Sequence, residues 1–405
     1  MTFERVRLAA CLLSAVCAAQ CRPPTSNADA TPGQDAVASL DAQDDATVTS
    51  DVVSADSRYT FPDDAPPVGN PASFDPSVKG PFRAGYRLLS FTYMPIGSST
   101  ARTIPVHVWY PTLALTGPRA VYARIVNDPE SLRDAPPAPP AHAGGYPVQV
   151  YSHGDRGFAG TSHFLMRYFA SHGWVSVAPD HIGNTLTEPV VTPRPYALYH
   201  LRSQDITAAL DGVAGLAATD PLGGGVLQTT STVLTGHSFG VHTVWTSAGA
   251  IFDVNAIRPL CTPANNCTPE DLATFGMNLR ENRIVSAIAM AGAINRTLFG
   301  STGHSRVTIP ILAMSGSADP VGADVQFAST TTVPMRWIDI RGACHQFFAL
   351  GACDAIPDVE QERIVGTWAL AFARLTVLND NSTAVMNVLR AMPSQSDRVT
   401  LQSRP

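Results

Sequence analysis

Charged side chains, and lysine above all, are scarce in this chain of 405 residues. Aspartate, glutamate, lysine and arginine together make up 15% of it, and Lys79 is the only lysine. Residues 1–21 carry a net charge of +1 and residues 22–80 a net charge of −7, so residues 81–405 are neutral overall. Domains that bind nucleic acid usually have a basic patch or stripe. Residues 81–405 have no excess of basic residues from which such a patch could form, so the sequence predicts no nucleic-acid partner.

Large apolar side chains are nearly absent from residues 22–80, which consist mainly of Ala, Asp, Ser, Thr and Pro. Such a segment cannot bury enough apolar surface to offset the entropy that is lost on ordering. We therefore predict that residues 22–80 form a disordered acidic linker and that the folded domain occupies residues 81–405.

The chain begins with a short apolar run, Leu8–Ala19, which follows Arg5 and Arg7. A run of this length is typical of the core of a signal peptide and is too short to span a bilayer. We therefore predict an export signal in residues 1–21 and an exported protein. Two forms stay open, a freely secreted protein and one tethered to a membrane through a lipidated cysteine at Cys11, Cys17 or Cys21.

Only four cysteines follow the export signal: Cys261, Cys267, Cys344 and Cys353. In an oxidising compartment, an even number of closely spaced cysteines indicates disulfides. Four cysteines permit three pairings, and the local one, Cys261 with Cys267 and Cys344 with Cys353, needs the least coincidence. Neither spacing is the Cys-x-x-Cys of a zinc site, and no second Cys/His pair accompanies them. The sequence therefore predicts two disulfides and no metal.

Apolar strand-like runs alternate with amphipathic helical segments after residue 81. The first two runs, Arg87–Tyr93 and Thr103–Tyr110, predict an antiparallel pair. Further strands are predicted at Pro147–Ser152, Trp174–Ala178, Ser231–Thr235, Ile284–Ala291, Ile309–Met314 and Met335–Ile340. Helices are predicted at Thr161–Ser171, Leu201–Ala217, Val241–Ala250 and Val359–Leu378. This alternation is typical of an α/β fold with a mostly parallel central sheet and helices on both faces, whose functional groups gather at the carboxyl ends of the strands.

The segment Gly236-His237-Ser238-Phe239-Gly240 fits the pattern G-x-S-x-G. The pattern alone is weak evidence, but here it follows an apolar strand and opens a helix, which is the setting of a nucleophile elbow. Glycines permit the sharp turn that exposes the serine hydroxyl. We predict that Ser238 is a catalytic nucleophile. The alternative is an ordinary glycine-rich turn with a capping serine.

A serine hydroxyl needs a base to remove its proton, and the base needs an acid to orient it. In strand–turn–helix hydrolases the three groups follow one another in the order Ser, acid, His. Three histidines follow Ser238. His242 lies on the helix that Ser238 opens, and no carboxylate between Ser238 and His304 ends a strand. His345 lies in the loop after the last predicted strand, so we predict that His345 is the base.

The acid is expected at the end of a strand between Ser238 and His345. Asp319 meets this condition, in a short polar turn after an apolar strand. Asp324 lies five residues further on, at the predicted start of a helix where a carboxylate is favourable in any case, and is the alternative. Asp339 alternates inside a strand, which favours a structural role. We predict that the acid is Asp319.

The oxyanion that forms when an ester is attacked needs backbone N–H donors. One donor is expected at Phe239, directly after the nucleophile. The second is expected in the loop after the third predicted strand, where the sequence is Ser152-His153-Gly154-Asp155. We predict that the donor there is the N–H of Asp155. The alternative is that Asp155 only caps the following helix.

Five segments of the sequence resemble the α/β-hydrolases related to platelet-activating-factor acetylhydrolase and dienelactone hydrolase, and are also similar to the bacterial cutinase and polyester-hydrolase branch. These segments are the loop SHGDRG, the helix end ASHGW, the strand end VAPDH, the elbow GHSFG and the loop RGACHQFF. The resemblance covers roughly residues 85–375. It implies ester hydrolysis through an acyl-serine intermediate without a cofactor, with Ser238 as nucleophile, His345 as base, and Phe239 and Asp155 as oxyanion donors.

The sequence departs from the acetylhydrolase group at the position of the acid. That group has its acid after the strand that follows the elbow helix, and here this position reads Ala289-Met290-Ala291-Gly292, without a carboxylate. The resemblance therefore implies the later acid site, as in cutinase-like relatives, which agrees with Asp319.

A long insert, Ile251–Asn282, separates the elbow helix from the next strand and contains Cys261 and Cys267. It is either a cap over the active site or a surface excursion, and both interpretations stay open. The predicted function is hydrolysis of short-chain, lipid-like or polyester substrates. The alternatives are a non-catalytic ligand-binding protein and an amidase or peptidase that uses the same triad.

Overall fold

The computed structural model describes residues 74–351, 353, 355–391 and 396–405, and its centre is one sheet of eleven strands. The strands are β1 (Arg83–Tyr93), β2 (Arg102–Thr112), β3 (Arg119–Tyr122), β4 (Val126–Arg133), β5 (Tyr146–Ser152), β6 (Val175–Pro179), β7 (Leu227–His237), β8 (Ile284–Met290), β9 (Ile311–Gly316), β10 (Met335–Ile340) and β11 (Val399–Arg404). The α-helices are α1 (His163–Ser171), α2 (Leu198–Ala214), α3 (Gly240–Ala248), α4 (Val254–Ile257), α5 (Pro269–Phe275), α6 (Arg296–Phe299), α7 (Ala323–Ser329), α8 (Asp358–Leu378) and α9 (Thr383–Leu389). The predicted export signal and most of the predicted linker lie outside the described residues.

Six neighbouring strands in the middle of the sheet run parallel, in the order β10, β9, β8, β7, β5, β6. Beyond β6 the sheet continues with the antiparallel pair β2 and β1, as the sequence predicts. The sequence does not predict β3 and β4, which extend this side, or β11, which pairs antiparallel with β10 at the opposite side. Their sequences explain why, because β4 reads VNDPESLR and β11 reads VTLQSR, without an apolar run.

Helices cover both faces of the sheet. Successive side chains of a strand point to opposite faces, so a strand that is covered on both needs apolar residues at consecutive positions. In β7, Val233 packs in the layer with α1, α8 and α9, and Leu234 packs in the layer with α2 and α3. The predicted α/β fold, with a mostly parallel sheet between two helical layers, is confirmed.

The parallel strands bring distant parts of the chain to one edge of the sheet. Because the six central strands point the same way, the loops that leave β5, β7, β9 and β10 all begin at their carboxyl edge. These four loops contain the residues that the sequence predicts as oxyanion donors, nucleophile, acid and base. The fold therefore places all of the predicted site residues on the same side of the molecule.

The folded domain begins earlier than predicted. Tyr168 on α1 donates a 2.7 Å hydrogen bond to the backbone carbonyl of Pro76, and the His172 ring donates one of 2.9 Å to that of Val78. The ring of Phe74 packs edge-on against the ring of His172. The last residues of the predicted linker thus belong to the folded domain, because their backbone carbonyls and one aromatic ring supply contacts that composition does not reveal.

The insert between α3 and β8 contains α4, α5 and a disulfide between Cys261 and Cys267. Asp271 on α5 accepts a 2.9 Å hydrogen bond from His200 on α2. Asn266, inside the disulfide loop, donates one of 2.8 Å to the backbone carbonyl of Pro193. The insert therefore packs against α2 and against the loop that precedes it. None of the helices in the described part of the chain combines the length and the apolar character of a membrane span.

Candidate active site

Ser238 lies in the sharp turn between β7 and α3. Its backbone φ is 54°, in the left-handed region that residues other than glycine rarely adopt. The chain passes so close to itself here that a Cβ on Gly236 would lie 2.4 Å from the carbonyl oxygen of Gly240, and a Cβ on Gly240 would lie 2.1 Å from that of Ser152. A side chain fits at neither glycine. This strained turn has the geometry of a nucleophile elbow.

Ser238, His345 and Asp319 form a continuous chain of hydrogen bonds. Oγ of Ser238 lies 2.9 Å from Nε2 of His345, and Nδ1 of His345 lies 3.0 Å from Oδ2 of Asp319. An ionised carboxylate only accepts, so Nδ1 carries the proton and Nε2 accepts from the serine hydroxyl. The side chain of His345 is 22% exposed, whereas that of Asp319 is 1% exposed. The His345 ring is therefore accessible from solvent, whereas the carboxylate that it contacts is shielded from water.

The other two candidate acids have different surroundings. Asp324 lies in the first turn of α7, where a carboxylate interacts favourably with the helix N-terminus. Asp339 lies in β10 and accepts a 2.8 Å hydrogen bond from Ser315. The carboxylate that meets His345 is Asp319.

The loop that carries His345 is anchored on both sides of that residue. A disulfide joins Cys344, its direct neighbour, to Cys353, which is the local pairing that the sequence favours. The backbone N–H of Gly342 donates a 2.9 Å hydrogen bond to Oγ of Ser317 in the turn that carries the acid. The loops that carry His345 and Asp319 are therefore held against each other by a contact outside the Ser–His–Asp chain.

His237 is a site residue that sequence reasoning did not identify. Its Nε2 lies 3.0 Å from the backbone carbonyl oxygen of His345, so Nε2 carries the proton and donates it. Burial lowers the pKa of His237 to about 3, which keeps the ring neutral. His237 thus ties the turn at Ser238 to the loop that carries His345. Its position inside G-x-S-x-G marks it, but the expected order Ser, acid, His points only to histidines that follow Ser238.

The segments of both predicted oxyanion donors flank Ser238. Phe239 follows it directly, and a Cβ on Gly154 would lie 3.3 Å from the Cβ of Ser238, so the loop with Asp155 passes against the nucleophile. Within the described part of the chain, the N–H groups of Phe239 and Asp155 have no hydrogen-bond acceptor. Unused N–H groups beside a nucleophile are what an oxyanion hole requires.

The carboxylate of Asp155 does not cap a helix. It accepts a 2.8 Å hydrogen bond from Asn184 and pairs with Arg194 at 3.2 Å. The next helical turn, the 3₁₀ segment Ala159–Ser162, has no side-chain cap. The capping role that the sequence left open for Asp155 is therefore not observed.

The Gly154 carbonyl sets the direction of the Asp155 N–H. Its oxygen accepts hydrogen bonds from Nδ1 of His153, at 2.7 Å, and from the N–H of Gly157, at 3.2 Å. A trans peptide is planar, with its C=O and N–H opposed, so an oxygen held on one side turns the following N–H to the other. His153 is fixed as the Nδ1–H tautomer because its Nε2 accepts from the N–H of His181 at 3.0 Å. Burial also holds the pKa of His153 well below its ordinary value.

The two histidines that the sequence rejects as the base have other partners. The ring of His242 packs on Phe239 and Tyr199, and burial lowers its pKa to about 3. His304 accepts a 2.8 Å hydrogen bond from Arg296. Across the described residues, no group of three or more His, Cys, Asp or Glu side chains is arranged to hold a metal ion.

Comparison with known proteins bears on the fold. No protein-family model matches the chain, and no curated protein matches it at a significant level. Among solved structures, a ferulic acid esterase from Streptomyces cinnamoneus is similar, with 17% sequence identity over 80% of this chain and 97% of that chain and a TM-score of 0.52. At this identity the similarity is one of fold, and it agrees with the α/β architecture described above.

Proposed function

We propose that this protein is a serine carboxylic-ester hydrolase with Ser238 as nucleophile, His345 as general base and acid, and Asp319 as the orienting carboxylate. The observation that carries the proposal is the hydrogen-bonded chain of these three side chains beside two backbone N–H groups that have no acceptor in the described structure. Three further features support it: the left-handed elbow at Ser238, the chain order Ser, acid, His, and the common strand edge.

The first half of the proposed reaction transfers the acyl group to the enzyme. His345 takes the proton of Ser238 as the serine oxygen attacks the ester carbonyl, and Asp319 stabilises the imidazolium that forms. The oxyanion accepts hydrogen bonds from the N–H groups of Phe239 and Asp155. The C–O bond then breaks, and His345 gives its proton to the departing alcohol.

The second half regenerates the enzyme. A water molecule loses a proton to His345 and attacks the acyl-serine, and the same two N–H groups hold the second oxyanion. The bond to Ser238 breaks, Ser238 regains its proton from His345, and the acid leaves. One ester and one water thus give one acid and one alcohol.

The proposed substrates are small esters with short or lipid-like acyl groups, or polyesters. The similarly folded protein from Streptomyces cinnamoneus is a ferulic acid esterase, which supports ester hydrolysis as the class of reaction. The two disulfides support the proposal that the protein works in an oxidising compartment after export, secreted or tethered to a membrane.

Turnover of p-nitrophenyl acetate tests the proposal. We expect the wild-type protein to hydrolyse it and Ser238→Ala to lower kcat by about 10⁶. Ser286→Ala is a matched control, because Ser286 is also buried and hydrogen-bonded, at 2.7 Å to Thr376, but lies outside the site. A wild-type rate in Ser238→Ala would overturn the proposal.

The same assay separates the competing functions. A p-nitroanilide with the same acyl group should be hydrolysed far more slowly than the ester, and an equal kcat/KM for both would indicate an amidase. Ligand binding without turnover of any ester would indicate a non-catalytic protein. A series of p-nitrophenyl esters with increasing acyl length would then define the substrate class.

A further inference from the structure

Arg202 is a fully buried arginine beside the proposed oxyanion hole. It lies on α2 and is 1% exposed. Burial lowers its pKa to about 9, so the guanidinium is still charged at neutral pH. A buried charge is usually paired with an opposite charge. The hydrogen-bond partners of Arg202 are instead neutral: Asn184, the backbone carbonyl of His153, and Ser152 at the carboxyl end of β5.

The guanidinium of Arg202 donates hydrogen bonds to the loop that contains Asp155, one of the two proposed oxyanion donors. Its Nη2 donates to the backbone carbonyl of His153 and, at 3.2 Å, to Oγ of Ser152. Its Nη1 donates a 2.6 Å hydrogen bond to Asn184, whose amide donates one of 2.8 Å to the carboxylate of Asp155. Arg202 therefore contacts this loop directly, two residues before the donor, and indirectly through the donor's own side chain.

The guanidinium of Arg202 also contacts Phe239, the other proposed oxyanion donor. Its central carbon lies 4.5 Å from the centroid of the Phe239 ring, within the range of a cation–π interaction. Both proposed oxyanion donors, Asp155 and Phe239, therefore belong to residues that one rigid, planar side chain fastens together. Lysine could supply the charge but not this combination of forked hydrogen bonds and stacking.

We propose that Arg202 is a positioning residue that holds the N–H groups of Asp155 and Phe239 at the spacing that the oxyanion needs. It acts through these two residues and does not touch the substrate, because it lies buried behind the loop. The proposal rests on the proposed esterase function and adds to it a residue outside the Ser–His–Asp chain.

The test compares Arg202→Gln and Arg202→Lys with the wild-type enzyme on p-nitrophenyl acetate. We expect Arg202→Gln to lower kcat about 100-fold and to keep KM within about threefold of the wild-type value. Misplaced N–H donors reduce the stabilisation of the transition state more than they reduce the binding of the ester. The affinity for a trifluoromethyl ketone, which forms an oxyanion on Ser238, should fall by a similar factor. Arg202→Lys should recover part of both losses.

A matched control separates positioning from loss of stability. Arg167 is also a buried arginine, but it pairs with Asp128, Glu130 and Glu362, away from the site. Arg167→Gln should lower the free energy of unfolding and leave kcat and the affinity for the ketone close to wild type. If both glutamine variants lost activity in proportion to their loss of stability, the proposal for Arg202 would be overturned.

Asn184→Leu is a milder variant for the case in which Arg202→Gln does not fold. Asn184 lies in a loop, and leucine removes its bridge from Arg202 to Asp155. We expect a fall of about tenfold in kcat and in ketone affinity. Wild-type kcat and ketone affinity in both Asn184→Leu and Arg202→Lys, or in a folded Arg202→Gln, would overturn the positioning role of Arg202. The proposed esterase function would then still stand. A wild-type protein that hydrolyses no ester would instead overturn the proposed function itself.

Discussion

Two Ser–His–Asp sets with nearly the same hydrogen-bond geometry occur in the described part of the chain. In the proposed triad of Ser238, His345 and Asp319, the two distances are 2.9 and 3.0 Å. A second set, which we call the buried set, consists of Ser152, His181 and Asp205. Its Ser–His and His–Asp distances are both 2.9 Å. Distances alone therefore do not distinguish the two.

The buried set differs in access and in backbone geometry. All three of its side chains are fully buried. Asp205 also accepts hydrogen bonds from Arg102, at 2.7 Å, and from Tyr93, at 2.8 Å. Ser152 is an ordinary strand residue at the end of β5, not an elbow. We therefore expect the hydroxyl of Ser238 to react and that of Ser152 to stay inert. A serine that attacks a substrate also needs a path for that substrate and N–H groups beside the oxyanion.

Covalent labelling tests this comparison with the largest expected effect. A fluorophosphonate probe should react with Ser238 and leave Ser152 unmodified, because the probe cannot reach a fully buried hydroxyl. Ser238→Ala should abolish labelling together with the loss of about 10⁶ in kcat. Peptide mapping by mass spectrometry identifies the modified serine. A phosphonate on Ser152 would contradict the distinction.

Substitution of the two aspartates, Asp319 in the proposed triad and Asp205 in the buried set, should affect different properties. Asp319→Asn should keep the fold and lower kcat by about 10⁴, because His345 then takes the wrong tautomer. Asp205→Asn should leave Arg102 without its buried counter-charge and lower the free energy of unfolding by about 3–5 kcal/mol. Urea unfolding and steady-state kinetics on both variants check these outcomes. A 10⁴-fold loss of kcat in Asp205→Asn would mean that the buried set takes part in the chemistry.

The two disulfides extend the comparison to the surrounding loops. Replacing Cys344 and Cys353 by serine should lower stability by roughly 2–3 kcal/mol in the chain-entropy model. It should also lower kcat about tenfold, because His345 adjoins Cys344 and loses its fixed position. The matched control replaces Cys261 and Cys267, which close a similarly short loop in the insert, and should keep kcat. Equal kcat values in both double variants would show that the base loop needs no disulfide.

Stability at low pH should depend on buried histidines. Burial lowers the pKa of His172, His237 and His242 from the usual 6.5 to about 3. The unfolded chain therefore binds protons below pH 6.5 that the folded protein does not. The free energy of unfolding is therefore unaffected by these rings above pH 6.5. As the pH falls from 6.5 towards 3, it decreases by up to about 1.4 kcal/mol per pH unit for each ring.

A single variant measures one of these contributions. His242 contacts the rings of Phe239 and Tyr199, so His242→Phe should pack acceptably and remove one titrating group. The slope of the unfolding free energy between pH 6 and pH 4 should then be shallower by about one proton, or about 1.4 kcal/mol per pH unit. An unchanged slope would mean that His242 is not kept neutral by the fold.

Asp324→Asn should have the smallest effect. Asp324 is exposed in the first turn of α7, so its loss should lower stability by about 0.3–1 kcal/mol and leave kcat unchanged. Thermal unfolding and kinetics on Asp324→Asn beside Asp319→Asn check this. If Asp324→Asn lost activity and Asp319→Asn did not, the acid would be Asp324.

Features that depend on local pattern could be predicted from the sequence. The elbow at Ser238 is visible because glycines flank it after an apolar strand, and the central strands are visible because both of their faces are apolar. His345 and Asp319 follow strands in the expected order. The strands β3, β4 and β11 could not be predicted, because these outermost strands of the two sides of the sheet contain no long apolar run. The early start of the domain depends on contacts of backbone carbonyls, which any residue type can make.

The supporting residues could not be predicted for a different reason. His237 and Arg202 donate hydrogen bonds to backbone oxygens in distant loops, and His153 accepts one from the backbone N–H of His181. No spacing along the chain records which distant backbone group a side chain meets. Arg202 in particular occupies an ordinary position in a helix pattern. Its contacts appear only when β5, α2 and the elbow are packed together.

The sequence by itself determined the period of its strands and helices, the glycines of the elbow and the order Ser238, Asp319, His345. Tertiary structure alone decided which Ser–His–Asp set is accessible. Ser152 and His181 also lie where strands end, and Asp205 lies on a helix, so their sequence patterns do not set them apart from functional residues. Burial depends on how the whole sheet packs against its helices. Because that is a property of contacts between distant segments, no local pattern can report it.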